Sequence, residues 1–185
     1  VLVHLTAARA LEGHGAAGNN PSGNTAKAAG QTQAKAPPLP APVADMRDAI
    51  LAAAHTGRIE ELAVPLDWNE LKPDLGTAPG EDLIAHLKKI SGDGEGRELL
   101  AVLANILEMK PAALPLGRDI ENNTIYVWPY LAESKLEALT PSEQVDLLRL
   151  MTPEQAKAMR DAKKWTWWRL TIGADGTWHS FKKGS

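Results

Sequence analysis

The chain has 185 residues, 44% of them hydrophobic, with a formal net charge of −3 and no cysteine. That length fits one ordered domain of roughly 100–200 residues beside an unstructured segment. The lack of cysteine excludes disulfides, thiolate metal sites and a thiol nucleophile, and the acidic balance argues against a nucleic-acid partner, which calls for a basic surface.

The opening VLVHLTAARALEG places His4 and Arg9 too close to a short apolar run for a signal pattern. No run of about 18 apolar residues follows anywhere, so no membrane-spanning segment is expected. From Glu12 to Ala44 the chain is Gly, Asn, Ala, Gln, Lys and Pro, with too few large apolar groups to offset the entropy of ordering. Residues 1–44 are therefore read as a disordered Ala/Gly/Pro-rich segment and linker, and 45–185 as a single domain. Pro37 to Pro42 favours extended polyproline II geometry; a spacer is the ordinary role of such a run, and a PxxP ligand for an SH3-like domain the sharper one.

Asp45 is a good N-cap for a helix with Met46, Ala49, Ile50 and Ala53 on one face and Gly57 as its stop. A short helix through Ile59, Leu62 and Ala63 is predicted to end by Pro65. The run ILAAAHTGRIEEL resembles an ankyrin helical pair, but no second copy occurs at the period of about 33 that stacking requires, so a generic helical hairpin is expected. After a Pro/Gly-marked connection, Leu83, Ile84, Leu87 and Ile90 form an apolar stripe with His86 beside it. A longer, central helix is predicted from Glu95 to Met109, ended by Pro111.

TIYVWPYL, Thr124 to Leu131, is β-branched and aromatic and reads as a strand. Thr140-Pro141-Ser142-Glu143 and Thr152-Pro153-Glu154-Gln155 are two capping boxes, each with proline at the first helical position. The helices they start carry Val145, Leu148 and Met151, then Ala156, Met159 and Ala162. From Trp165 the chain alternates: Trp168, Leu170 and Ile172 point one way, Trp165, Trp167 and Arg169 the other. Gly173-Ala174-Asp175-Gly176 supplies a turn, and Trp178 and Phe181 lie on the return strand. The fold class is thus α+β: a mainly helical domain with a C-terminal hairpin at about 165–181, joined by strand 124–128.

Four of the six tryptophans lie in this stretch, with Lys163, Lys164, Lys182, Lys183, Arg169 and His179 among them. An aromatic and positive face suits a glycan, whose C–H faces pack on indoles, or an anionic polymer held by the cations. Trp165, Trp167, Arg169 and His179 are the ligand-binding candidates. Core packing under the helices is the competing use of the same rings. SGDGEGRE, Ser91 to Glu98, is the second candidate: a Gly-rich loop before a helix N-terminus that binds an anion with Arg97 as clamp, or a hydrolase site with Asp93 and Glu95 as acid and base. The competing reading is an interhelical turn capped by Ser91 or Asp93. His55, His86 and His179 stand singly, and no metal-ligand or cofactor motif is present, so neither a metal nor a cofactor is expected.

GRIEEL, SGDGEGRELLAVLANIL, YVWPYLAE and IGADGTWHSF together resemble a group of uncharacterised, exported bacterial proteins. The resemblance spans Asp45 to Phe181 and implies a periplasmic or secreted location, the alternative being cytoplasmic; it carries over no catalytic residue. The leading expectation is a non-catalytic exported module that binds a glycan, another cell-envelope component or a partner through the aromatic and basic hairpin face. A cell-envelope hydrolase at Ser91–Glu98 and a helical scaffold for a protein partner are the alternatives.

Overall fold

A computed structural model describes residues 38–119 and 122–184. Most of the tract read as unstructured, residues 12–37, lies outside the described residues. The first helix, α1 (Ala41–His55), starts four residues ahead of Asp45, so residues 41 and 42 of the anticipated extended spacer are helical instead. Proline is compatible with a first turn because its missing N–H has no helical partner there, and the longer helix seats Val43 in the core at 0% exposure. Gly57 follows the helix at φ +70°, as a stop requires.

A 3-10 turn, Ile59–Leu62, runs into α2 (Ala63–Asp67). Pro65 lies inside α2 and does not end it: in a first turn the proline costs no hydrogen bond, and it is buried. Helix α3 (Leu83–Ile90) is capped by Asp82, whose carboxylate accepts the Ala85 N–H at 2.7 Å. His86 is buried on it, with Nδ1 3.0 Å from Glu81 Oε2. Helix α4 (Arg97–Leu107) buries Leu99, Leu100, Leu103, Ile106 and Leu107, the face its spacing predicts. It is tied to α1 by Arg47 Nε, which donates to the Leu107 carbonyl at 2.8 Å.

Four antiparallel strands form one sheet in the order β1 (Ala112–Pro115), β2 (Thr124–Trp128), β3 (Trp168–Gly173), β4 (Trp178–Lys183). The hairpin and its join to 124–128 are present; the hairpin runs from Trp168 to Lys183 where about 165–181 was expected, and β1 is an addition. Its inner face holds Trp128, Trp168, Leu170, Ile172, Trp178 and Phe181 against α1 and α4 in one core. Trp168 and Phe181 stack there with ring centroids 4.7 Å apart. The outer edge of β4 is met by Asp74, whose N–H donates to the His179 carbonyl at 2.8 Å and whose carbonyl accepts the Phe181 N–H at 3.0 Å. This pairing covers part of an otherwise open edge.

Between β2 and β3 the chain leaves the sheet and builds a second core. Both capping boxes form there: Thr140 starts α5 (Pro141–Leu150) and Thr152 starts α6 (Pro153–Ala162), each with its reciprocal pair of hydrogen bonds. Tyr130, Leu131, Leu136, Leu147, Met159 and Trp165 pack in this core with Leu139, Met151 and Ala156. Helix α5 turns Leu147 inward, and Val145 and Leu148 are exposed, contrary to the face its spacing suggested. Apolar residues at 145, 147, 148 and 150 nearly encircle the helix, and contact with the second core selects Leu147.

Candidate functional site

The outer face of the sheet is built by strand alternation: Leu114, Ile125, Val127, Arg169, Thr171, Ser180 and Lys182 project opposite to the core row. With Trp165 and Lys183 they line a cleft of about 420 Å³. Arg169 and Lys182 are directly opposed in register, as are Thr171 and Ser180, whose hydroxyls lie 2.7 Å apart. One hydroxyl donates to the other, leaving the pair with spare hydrogen-bonding capacity. Arg169 Nη2 is 3.1 Å from Glu133 Oε1, and Lys182 pairs with Asp74. Both pairs are partly exposed, where ion pairs are worth about 0–1 kcal/mol and yield to a competing anion. Among the described residues, those lining the cleft include three cations and no carboxylate side chain.

The four hairpin candidates do not share one surface. Trp165 and Arg169 meet in this cleft, but Trp165 is only 7% exposed, with its indole N–H donating to the Trp168 carbonyl at 3.2 Å. It precedes β3 and is too enclosed to serve as a stacking platform. Trp167 is half-buried, packs edge-on to Trp165 at 6.3 Å, and lines a separate apolar cleft of about 430 Å³ with Met151, Met159, Ala162 and Lys183. His179 occupies the β-bulge where the β3–β4 register shifts, between Thr171↔Ser180 and Ile172↔Trp178. The extra residue carries it away to a third cleft of about 470 Å³ with Trp68, Glu70, Leu71, Asp175 and Thr177.

Asp93, Glu95 and Arg97 are exposed and line none of these clefts. Asp93 is bound to its own loop: Ser91 Oγ donates to it at 2.5 Å, Gly96 N–H at 3.0 Å, and the Glu95 and Arg97 N–H groups at 3.2 Å. The Ser91 hydroxyl, followed by the backbone donors, lowers its pKa to about 2. A carboxylate held so firmly ionised is a poor general acid near neutral pH. Glu98 accepts the Gly92 N–H, so the donors expected to greet an anion are met from within the loop. Gly96 adopts φ +86°, and a Cβ there would lie 2.7 Å from both Cβ and Cγ1 of Ile59. Close packing on buried Ile59 thus fixes the loop from below.

Sequence reasoning did not find the Thr171–Ser180 pair or Trp68. The first follows from a register that only the bulged pairing defines; the second caps α2, which continues past Pro65 to Asp67. Among the described residues no group of three His, Asp or Glu side chains is placed to hold a metal ion, and no helix is long and apolar enough to cross a membrane. No family model, curated protein or solved structure matches the chain.

Proposed function

We propose that the protein is a non-catalytic binding module that holds an anionic glycan or similar cell-envelope polymer on the outer face of its sheet. The observation that carries the reading is the convergence of Arg169, Lys182 and Lys183 around the Thr171–Ser180 hydroxyls in one open cleft with no carboxylate side chain among its described lining residues. The cations supply attraction and on-rate, and the hydroxyl pair supplies a hydrogen-bonding floor for sugar or acid groups. The near-complete burial of Trp165 makes charge, not ring stacking, the main source of affinity. A cell-envelope setting, periplasmic or secreted, draws support from the resemblance to exported proteins. The hydrolase alternative at Ser91–Glu98 gains none, because the Asp93 oxygens cap their own loop.

The test is binding to a soluble polyuronate such as alginate, with neutral dextran as control. Alginate is expected to bind at low ionic strength and to lose affinity as the Debye length falls from about 30 Å to about 8 Å. The triple variant Arg169→Gln, Lys182→Gln, Lys183→Gln is expected to bind at least about tenfold more weakly, since each lost tenfold corresponds to about 1.4 kcal/mol. Equal binding by the variant, or equal binding to dextran, overturns the reading.

A further inference from the structure

A second surface has the opposite sign. Trp68 is 55% exposed, while Trp128, Trp165, Trp168 and Trp178 are each at 9% or below and Trp167 is half-buried. It follows α2 with helical backbone angles, φ −73° and ψ −17°, so it stands one turn beyond Val64, itself 54% exposed. Leu71, 79% exposed, lines a cleft together with the same ring. An indole, a leucine and a valine left in water together form an apolar ridge that no described residue covers.

The ring borders two clefts. One, of about 510 Å³, is lined by Asp45, Asp48 and Met46 of α1 and by the β3–β4 turn. The other, of about 470 Å³, is lined by Glu70, Leu71 and His179. Asp175 and Thr177 border both. Asp48 pairs with Arg47, and the Asp175 oxygens take the N–H and hydroxyl of Thr177, both at 2.9 Å. Asp45 and Glu70 have no partner among the described residues, and neither does the Trp68 indole N–H. Among the described residues, no lysine or arginine lines either cleft. Carboxylates flanking an exposed indole face attract a cation electrostatically, and the ring quadrupole adds to that attraction.

We infer that this ridge docks a basic peptide segment of a partner protein, with a lysine or arginine side chain over Trp68 between Asp45 and Glu70 and an apolar side chain against Leu71. Charge complementarity selects the occupant: anionic polymers and acidic membranes are repelled here, whereas a free ammonium ion leaves the Leu71 and Val64 surfaces uncovered. Two clefts that share Trp68, Asp175 and Thr177 give one extended segment room for more than one side chain. The surface is separate from the outer sheet face and does not depend on what binds there.

The test uses the full chain and two labelled nonapeptides, one alternating lysine with leucine and one alternating glutamate with leucine, followed by fluorescence anisotropy. The basic peptide is expected to bind, and Trp68→Ala to weaken it by about tenfold or more, as hot-spot tryptophans do. Asp45→Asn with Glu70→Gln is expected to weaken it by about tenfold and to flatten its salt dependence. Arg169→Gln is expected to change nothing, which separates this surface from the sheet cleft. Circular dichroism checks that each variant is folded, and Trp68→Phe provides a conservative ring that is expected to retain part of the affinity. The inference is overturned if the acidic peptide binds as well, if Trp68→Ala binds the basic peptide unchanged, or if lysine amide alone displaces it at equal concentration. It is also overturned if neither peptide binds and sedimentation shows a self-association abolished by Trp68→Ala, because the ridge would then be covered by a second copy.

Discussion

Replacing Gly96 with alanine should be among the more damaging single-methyl additions in this protein, and the structure separates its two costs. The backbone at φ +86° must hold an L-residue in the left-handed region, which costs about 1–2 kcal/mol. The added Cβ would also sit 2.7 Å from Ile59 Cβ and Cγ1 and 3.0 Å from its Cδ1. Ile59 is 1% exposed and cannot swing into solvent, so overpacking adds about 1–3 kcal/mol. The sum is about 2–5 kcal/mol, or a Tm lower by about 4–20 °C at 2–4 °C per kcal/mol for a chain of this size. Gly57 is the matched control: its φ is +70°, but nothing lies within 4 Å of an added Cβ, so Gly57→Ala should lose only about 1–2 kcal/mol. Urea unfolding followed by tryptophan emission measures both. Trimming Ile59 to alanine removes the Cγ1 and Cδ1 clashes and should return part of the extra cost in a double-mutant cycle. Equal losses at Gly57 and Gly96, or no coupling to Ile59, would refute the crowding argument.

Leu147→Ala should cost about 2–5 kcal/mol, because the side chain is 1% exposed in the second core, whereas Leu148→Ala at 50% exposure should cost within about 0.5–1 kcal/mol. Reversal of that order in thermal unfolding would show that α5 is rotated the other way. The depressed pKa of Asp93, about 2 against an unfolded value near 3.9, means that its stabilisation is present above about pH 4 and is lost as pH falls toward 2. Asp93→Asn should therefore lower Tm at pH 7 and flatten the acid limb of Tm against pH; an unchanged limb would remove Asp93 from the loop's stabilising contacts.

Local chemistry was the legible part. The two Thr-Pro capping boxes, the α4 face and the Trp168, Leu170, Ile172 row depend on residues within a turn or two of one another, and all stand as read. Trp165 was misleading because its alternation continues that of β3 although the strand begins at Trp168; Met159, brought close by α6, gives the ring a core to enter. His179 belonged to the expected face only if period two persisted, and one bulge residue ended that. Strand β1 is four residues ending in proline, too short to announce itself without β2 beside it. The Ser91–Glu98 loop has the composition of an anion site, but the acceptors its N–H groups meet are Asp93 and Glu98, which only the folded turn brings round.

The excursion from Pro129 to Trp167 leaves the sheet from one central strand and re-enters it on the adjacent one, with its own buried cluster between. Its ends are fixed by the β2–β3 pairing from Trp128↔Leu170 to Ile125↔Gly173, so its length is nearly independent of the register it spans. Lengthening such a closed loop is cheap, about 0.6 kcal/mol for each doubling. The length of the excursion can therefore vary between two fixed strand ends at little entropic cost. Because it also delivers Trp165 to the outer cleft and Glu133 to Arg169, a change in the excursion reaches the ligand face, while Leu150 and Trp167 carry it into contact with the first core as well.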